Sequence, residues 1–215
     1  MHAENEPPAR RTQVERRTQT RRALLDATIE SLVEVGYART TTTEVTRRAG
    51  VSQGALFKHF ATRSALVAAA AEHLFEGLFV DFEAAFESSN EREAPVVVAM
   101  RRLWDVFCKP ELLAVYRLYA EAPVDEELMA ALVPVVKQHE ANLSSFAVSL
   151  FPEIASSADH TSMFVGVIYA MQGLSMQRPV YVNPEHEALV LAQFESIARA
   201  LFPATRPRLR KGKSA

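Results

Sequence analysis

Three kinds of residue in this chain could carry chemistry: a serine between glycines, a single cysteine, and six histidines. Ser52 lies in Gly50-Val51-Ser52-Gln53-Gly54, the G-x-S-x-G spacing that presents a nucleophilic serine on a sharp strand-to-helix turn. That elbow needs a buried apolar strand running into it. The residues before Gly50 are "TEVTRRA", with two adjacent arginines and helical spacing, so Ser52 reads as a turn residue that caps a helix. A helical-bundle enzyme of the di-iron carboxylate kind, the alternative class, would need Glu-x-x-His on inward faces. The residues three before His59, His73, His139, His160 and His186 are Leu56, Ala70, Val136, Ser157 and Asn183, so the motif does not occur there. Cys108 alone permits neither an intrachain disulfide nor a multi-cysteine metal site. We therefore expect no catalytic residue, no metal ligand and no cofactor.

The elements that hold these residues are legible in the composition. Of 215 residues, 48% are hydrophobic and seven are glycine; β-branched residues rarely alternate with polar ones, which favours an all-α fold with an ample core. The first residues contain no apolar stretch resembling a secretory signal. The uncharged run from His160 to Gln177 carries too many polar residues for a membrane span. The expectation is a cytoplasmic protein without a membrane partner. Charge is uneven: between Pro8 and Arg63 there are eleven basic residues against five acidic ones, and from Ser64 to Thr205 eight against nineteen. A basic end on an acidic body points to a polyanion at the first third of the chain, or to a solvated basic tail.

Periodicity predicts a helix over 17–35 ended by Gly36, with Leu25, Ile29 and Leu32 on its apolar face beside Leu24 and Thr28. Thr41-x-x-Glu44 is a capping-box pattern that opens a second helix, and Gly50 supplies the left-handed residue that stops it. Ser52 caps a third helix that buries Leu56 and Phe60, and Thr62 caps a fourth over 63–88. Further helices are expected over 95–107, 111–121, 125–151, 162–177 and 184–201, bounded by prolines, with Pro134 a kink within the seventh. The domain reading is a disordered basic arm (1–16), a three-helix helix-turn-helix unit (17–66), a C-terminal helical bundle (67–203) and a disordered basic tail (204–215).

Gly36-Tyr37, Thr40-Thr41, Val45, Ala49-Gly50-Val51-Ser52, Gly54, Leu56 followed by an aromatic, His59-Phe60, Arg63 and Leu66 form one pattern about thirty residues long. In that pattern the segment resembles the DNA-binding region of the TetR family of bacterial transcriptional regulators. The resemblance implies a homodimer whose C-terminal helices bind a small molecule and release DNA. It also implies that Gln53 to His59 enter the major groove. The short, capped helix with Gln53, Ala55, Lys58 and His59 on its polar side leads to the same assignment. Gln53 can pair in bidentate fashion with adenine, Ala55 can meet a thymine methyl, and Gly54 lets the backbone approach. Thr41, Thr42, Thr43, Lys58, His59 and Arg63 would contact phosphates or lie near them, while for His59 support of its helix is the structural alternative. Phe57 stands where the family often has tyrosine, which puts one phosphate contact in doubt. Thr46 and Arg63 replace a common alanine and lysine. The arginines before Leu24 are either a solvated tail or a backbone or minor-groove contact.

In the body, Gly166, Ala170 and Gly173 repeat on one side of a helix apolar nearly all round, and Leu189 and Ile197 belong to an apolar stripe on the last helix. Together they are candidates for a self-complementary four-helix dimer interface. Trp104, Cys108, Tyr116, Tyr119, His139, Phe146 and Tyr169 offer the mixture of bulk and polar tips that pockets use. The function expected is a ligand-responsive, sequence-specific regulator. It acts as a repressor on a double-stranded palindromic operator and is released by a small apolar or amphipathic effector whose identity the sequence does not give. A DNA-binding protein without an effector is the other alternative.

Overall fold

A computed structural model of the chain describes residues 12–87 and 95–201. The 204–215 tail and most of the 1–16 arm lie outside the described residues. Among those described there are nine α-helices and no strand, as the composition predicts, and no helix is long and apolar enough to cross a membrane.

Helix α1 spans Gln13–Val35, starting four residues before the sequence reading placed it. Its first turn is a full capping box: the Thr12 hydroxyl accepts from the Glu15 N–H at 3.2 Å, and the Glu15 carboxylate accepts from the Thr12 N–H at 2.8 Å. Residues 13–16 are therefore helix rather than arm, and Arg16, Arg17, Arg21 and Arg22 project from a rigid rod. The helix buries Leu24, Leu25, Ile29 and Leu32. Two polar residues on that face are also buried and satisfied within the chain. The Thr28 hydroxyl donates to the Leu24 carbonyl at 2.7 Å. Ser31 and Thr40 share a hydrogen bond of 3.0 Å, and Thr40 donates to the Gly36 carbonyl at 2.8 Å.

After a 3-10 turn at Tyr37–Arg39 come α2 (Thr42–Ala49), α3 (Gln53–Phe57) and α4 (Arg63–Glu87). Their starts follow the predicted caps, with Thr41, Ser52 and Thr62 accepting from the N–H groups of Glu44, Ala55 and Ala65 at 3.1–3.2 Å. Only half of the expected box forms at α2, because the Glu44 carboxylate turns to Arg47 and Arg48 instead. Arg48 also pairs with Glu34 on α1 at 2.7 Å. Hydrogen bonds from the two arginines hold the Glu44 carboxyl down at about 2.

Gly50 ends α2 in the left-handed conformation, φ +66°. A Cβ there would meet nothing within 4 Å, so the backbone alone demands glycine. Gly50→Ala is expected to lower stability by about 1 kcal/mol, read as a lower thermal midpoint.

The remaining helices are α5 (Pro95–Phe107), α6 (Pro110–Glu121), α7 (Glu126–Leu150), α8 (Ala158–Gln177) and α9 (Pro184–Leu201). They match the proline-bounded reading to within a few residues, and α7 continues through Pro134. Two cores result. Leu24, Leu25, Ile29, Val45, Leu56, Phe60, Leu66 and Ala70 close the N-terminal unit, while Val67, Ala71 and Phe75 join the large core of the body. Adjacent faces of α4 thus serve different cores, so the 66/67 boundary falls within one continuous helix.

Candidate functional site

Helix α3 stands out from the N-terminal unit. Leu56 is buried beneath it, and Phe57, Lys58 and Gly54 are exposed on its outer side. The Gln53 amide donates one of its two N–H groups to the Thr43 hydroxyl at 2.8 Å, which fixes the side chain at the α2–α3 junction and leaves the other N–H and the carbonyl oxygen uncommitted. At Gly54 an added Cβ would meet only Ser52 Oγ, at 4.0 Å; nothing inside the protein requires glycine there, and the open space is on the outer surface. Ser52 caps this helix, with α2 before it instead of a strand, so the nucleophile-elbow geometry is not formed.

The other predicted contacts divide. Thr41 and Thr43 are exposed and Thr42 half-buried at the start of α2, where unpaired N–H groups and the helix dipole suit an anion. His59 is half-buried, and burial first, then the charges of Arg17 and Arg21, push it below its usual value. Those α1 arginines bring positive charge beside α3, a juxtaposition that their four-residue spacing could have indicated. Arg63 is already engaged. Its Nε donates to the Thr40 carbonyl at 2.7 Å, a terminal nitrogen donates to the Tyr37 carbonyl, and the guanidinium lies 3.9 Å from the Tyr37 ring centroid. It ties α4 to the 3-10 turn.

Tyr37 extends that tie. Its hydroxyl donates to the Asp125 carboxylate at 2.6 Å, and Asp125 is the N-cap of α7, accepting from the Leu128 N–H at 2.9 Å. Sequence reasoning missed this link between the N-terminal unit and the body.

Between α4, α5, α7 and α8 lies a cavity of about 130 Å³. Among the described residues lining it, Tyr116 and His139 are the only ones with a polar side-chain nitrogen or oxygen. Phe146 is on the wall as predicted, packed edge-on against Phe82. Trp104, Cys108, Tyr119 and Tyr169 are not. Trp104 and Cys108 neighbour Arg178, whose guanidinium lies 5.7 Å from the indole ring and pairs with Glu187 at 2.8 Å. Tyr119 packs on Tyr116. Tyr169 is exposed and donates to Glu140 at 3.1 Å.

His139 stacks on Phe75, centroids 3.7 Å apart, and its Nδ1 is buried without a hydrogen-bond partner. Burial pushes its pKa from 6.5 to about 4. The unfolded chain therefore takes up a proton below about 6.5 that the folded chain refuses until about 4. Stability falls as pH drops through that window, by at most about 3 kcal/mol. His139→Phe is expected to flatten the thermal midpoint against pH between those values; an unchanged slope would assign the proton to another group.

Of the expected interface residues, Gly166, Ala170, Gly173 and Leu189 are exposed, and Met163, Tyr169 and Met176 extend the same apolar region. Ile197 differs: it lines the cavity.

A family model described as bacterial regulatory proteins, tetR family, matches residues 24–70. Over 179 residues the chain is 32% identical to HTH-type transcriptional regulators of Mycobacterium tuberculosis and Mycobacterium bovis, covering 82% of this chain and 91% of each relative. It is 44% identical over 69 residues to the HTH-type transcriptional regulator CymR of Pseudomonas putida, 32% of this chain and 34% of that one. In fold it is similar to a TetR-family regulator of Mesorhizobium loti (TM-score 0.65, 19% identity, 87% and 97% of the two chains). It is also similar to the multidrug binding protein EbrR complexed with imidazole (TM-score 0.60, 21% identity, 86% and 96%). The capped α3 behind the left-handed turn at Gly50 lies within the matched residues 24–70, and with mycobacterial relatives 32% identical over 82% of the chain it makes this protein a member of the TetR family of transcriptional regulators, with a DNA-binding helix-turn-helix at its N-terminus.

Proposed function

We propose that the protein is a homodimeric repressor that reads a palindromic operator through α3 and leaves it when a small apolar molecule fills the body. Residues 17–66 form the DNA-binding unit and 67–203 the ligand-binding and dimerisation unit. Gln53, Gly54 and Ala55 read base edges, with Thr41, Thr42, Thr43, Phe57, Lys58 and His59 at or near the backbone. Gly166, Ala170, Gly173 and Leu189 meet their copies across a two-fold axis.

The observation that carries this reading is that one helix, α7, lines the apolar cavity with His139 and Phe146 and is capped by Asp125, whose carboxylate accepts from the Tyr37 hydroxyl. A ligand that shifts α7 moves the carboxylate anchoring the 3-10 turn, and through Arg63 the start of α4. The two sites then share one helix, and a ligand-dependent shift of it couples them.

Fluorescence anisotropy on an operator duplex tests this. A cavity ligand is expected to weaken DNA binding about 5- to 150-fold, and DNA to weaken ligand binding by the same factor. Tyr37→Phe, which deletes the hydrogen bond to Asp125, is expected to bring that factor toward unity while leaving each separate affinity within a few-fold. A ligand that binds without changing DNA affinity in the wild type would contradict the proposal.

A further inference from the structure

Helix α1 runs on ahead of the core it helps to close. Its buried residues begin at Leu24, so residues 13–23 form an overhang of roughly 16 Å at about 1.5 Å per residue. A short helix without tertiary packing is marginal in water. The chain nevertheless caps this one in full, with Thr12 and Glu15 bonded reciprocally.

One face of the overhang continues the line of the core. Arg17, Arg21, Leu24 and Thr28 follow one another at four-, three- and four-residue spacing, a single stripe along a helix. Leu24 and Thr28 are buried on it, whereas Arg17 and Arg21 are exposed. The stripe therefore turns basic where it passes the end of α3. The Arg21 guanidinium lies 5.6 Å from the centroid of the Phe60 ring. Next to burial, the charges of Arg17 and Arg21 hold His59 below its usual value.

These two cations are also uncommitted. Elsewhere in the N-terminal unit Arg22 lies 3.8 Å from Asp26, Arg39 donates to the Val35 carbonyl, Arg47 and Arg48 hold Glu44, and Arg63 donates to the carbonyls of Thr40 and Tyr37. No carboxylate or carbonyl among the described residues takes Arg17 or Arg21. Positive charge is thus left unneutralised beside the helix end that exposes Lys58, and a polyanion is the partner such a surface fits.

We infer that Arg17 and Arg21 bind two phosphates of the DNA strand beside the groove that α3 enters, so that the α1 overhang extends the DNA-binding surface beyond the helix-turn-helix. This rests on the reading of α3 as the DNA-facing helix. Every sequence carries the same backbone, so the two contacts add affinity and orientation without base preference.

Anisotropy titrations of the full chain against salt test this on two duplexes, one of random sequence and one enriched by selection. Replacing both residues, Arg17→Gln and Arg21→Gln, is expected to make the log-log salt slope shallower by about 1.8 per subunit on both duplexes, about 0.9 for each phosphate released. Affinity at about 0.15 M salt should fall about 30-fold or more, with the ratio between the duplexes kept within about threefold. Arg17→Gln alone leaves the Phe60 contact in place and should remove about half of the slope change. The double lysine variant, which keeps both charges, should hold the wild-type slope, as should Arg22→Gln.

A double glutamine variant with the wild-type slope would overturn this inference and leave α3 as the reader. A lysine variant as defective as the glutamine one would trace the effect to packing on Phe60, and a slope change confined to the enriched duplex would trace it to base recognition; either would overturn the inference. If selection enriches no duplex, sequence reading by α3 fails, while the slope on the random duplex still decides the role of the arginines. Binding to neither duplex would overturn both.

Discussion

Ala170→Arg is expected to turn the dimer into monomers and to weaken binding to a palindromic duplex by at least about a hundredfold. Ala170 is exposed on α8 between Gly166 and Gly173, so the new side chain disturbs nothing within one subunit, and added Cβ atoms at those glycines would meet nothing within 4 Å. Across a two-fold axis the substitution appears twice in one self-complementary patch. Two unpaired guanidinium groups buried there cost several kcal/mol. Without the dimer, the second half-site is no longer bound at high effective concentration, and avidity of about 10²–10⁴ is lost. Sedimentation equilibrium reads the first effect and anisotropy the second. A variant that remains dimeric with wild-type affinity would move the interface away from α8.

Gln53→Ala carries the second large effect. A bidentate contact to adenine is worth about 1–3 kcal/mol of discrimination, and in a dimer the loss occurs at both half-sites. Operator affinity should therefore fall by about 2–6 kcal/mol, roughly 30- to 25,000-fold, with selectivity relaxed at one base pair per half-site. Lys58→Ala should act differently, weakening all duplexes alike and reducing the log-log salt slope by about 0.9 for each phosphate released. Unchanged operator affinity in both variants would remove α3 from the interface.

The parts of this architecture set by local chemistry were readable in the sequence. Thr41, Ser52 and Thr62 cap the helices they were expected to cap, and prolines mark the starts of α5, α6 and α9. The Thr12-x-x-Glu15 box is the same kind of signal as Thr41-x-x-Glu44 and was hidden by the arginines around it. What escaped depends on long-range packing. The tie from Arg63 to Tyr37, 26 residues earlier, forms only when the two elements pack. The bond from Tyr37 to Asp125 spans 88 residues and leaves no mark on local pattern. Side chains with polar tips were overweighted as cavity residues: Trp104 on α5 and Cys108 just after it face Arg178, and the cavity draws on the apolar face of α5 beside them. Leu189 and Ile197 are eight residues apart, about 80° around a helix, so one is exposed while the other turns inward.

Selection of the full chain on randomised duplex DNA asks whether a dimer reads sequence through α3. A palindrome whose half-sites are centred about one helical turn, or a multiple of it, apart should be enriched. No enrichment, or a single asymmetric half-site bound by a monomer, would contradict it.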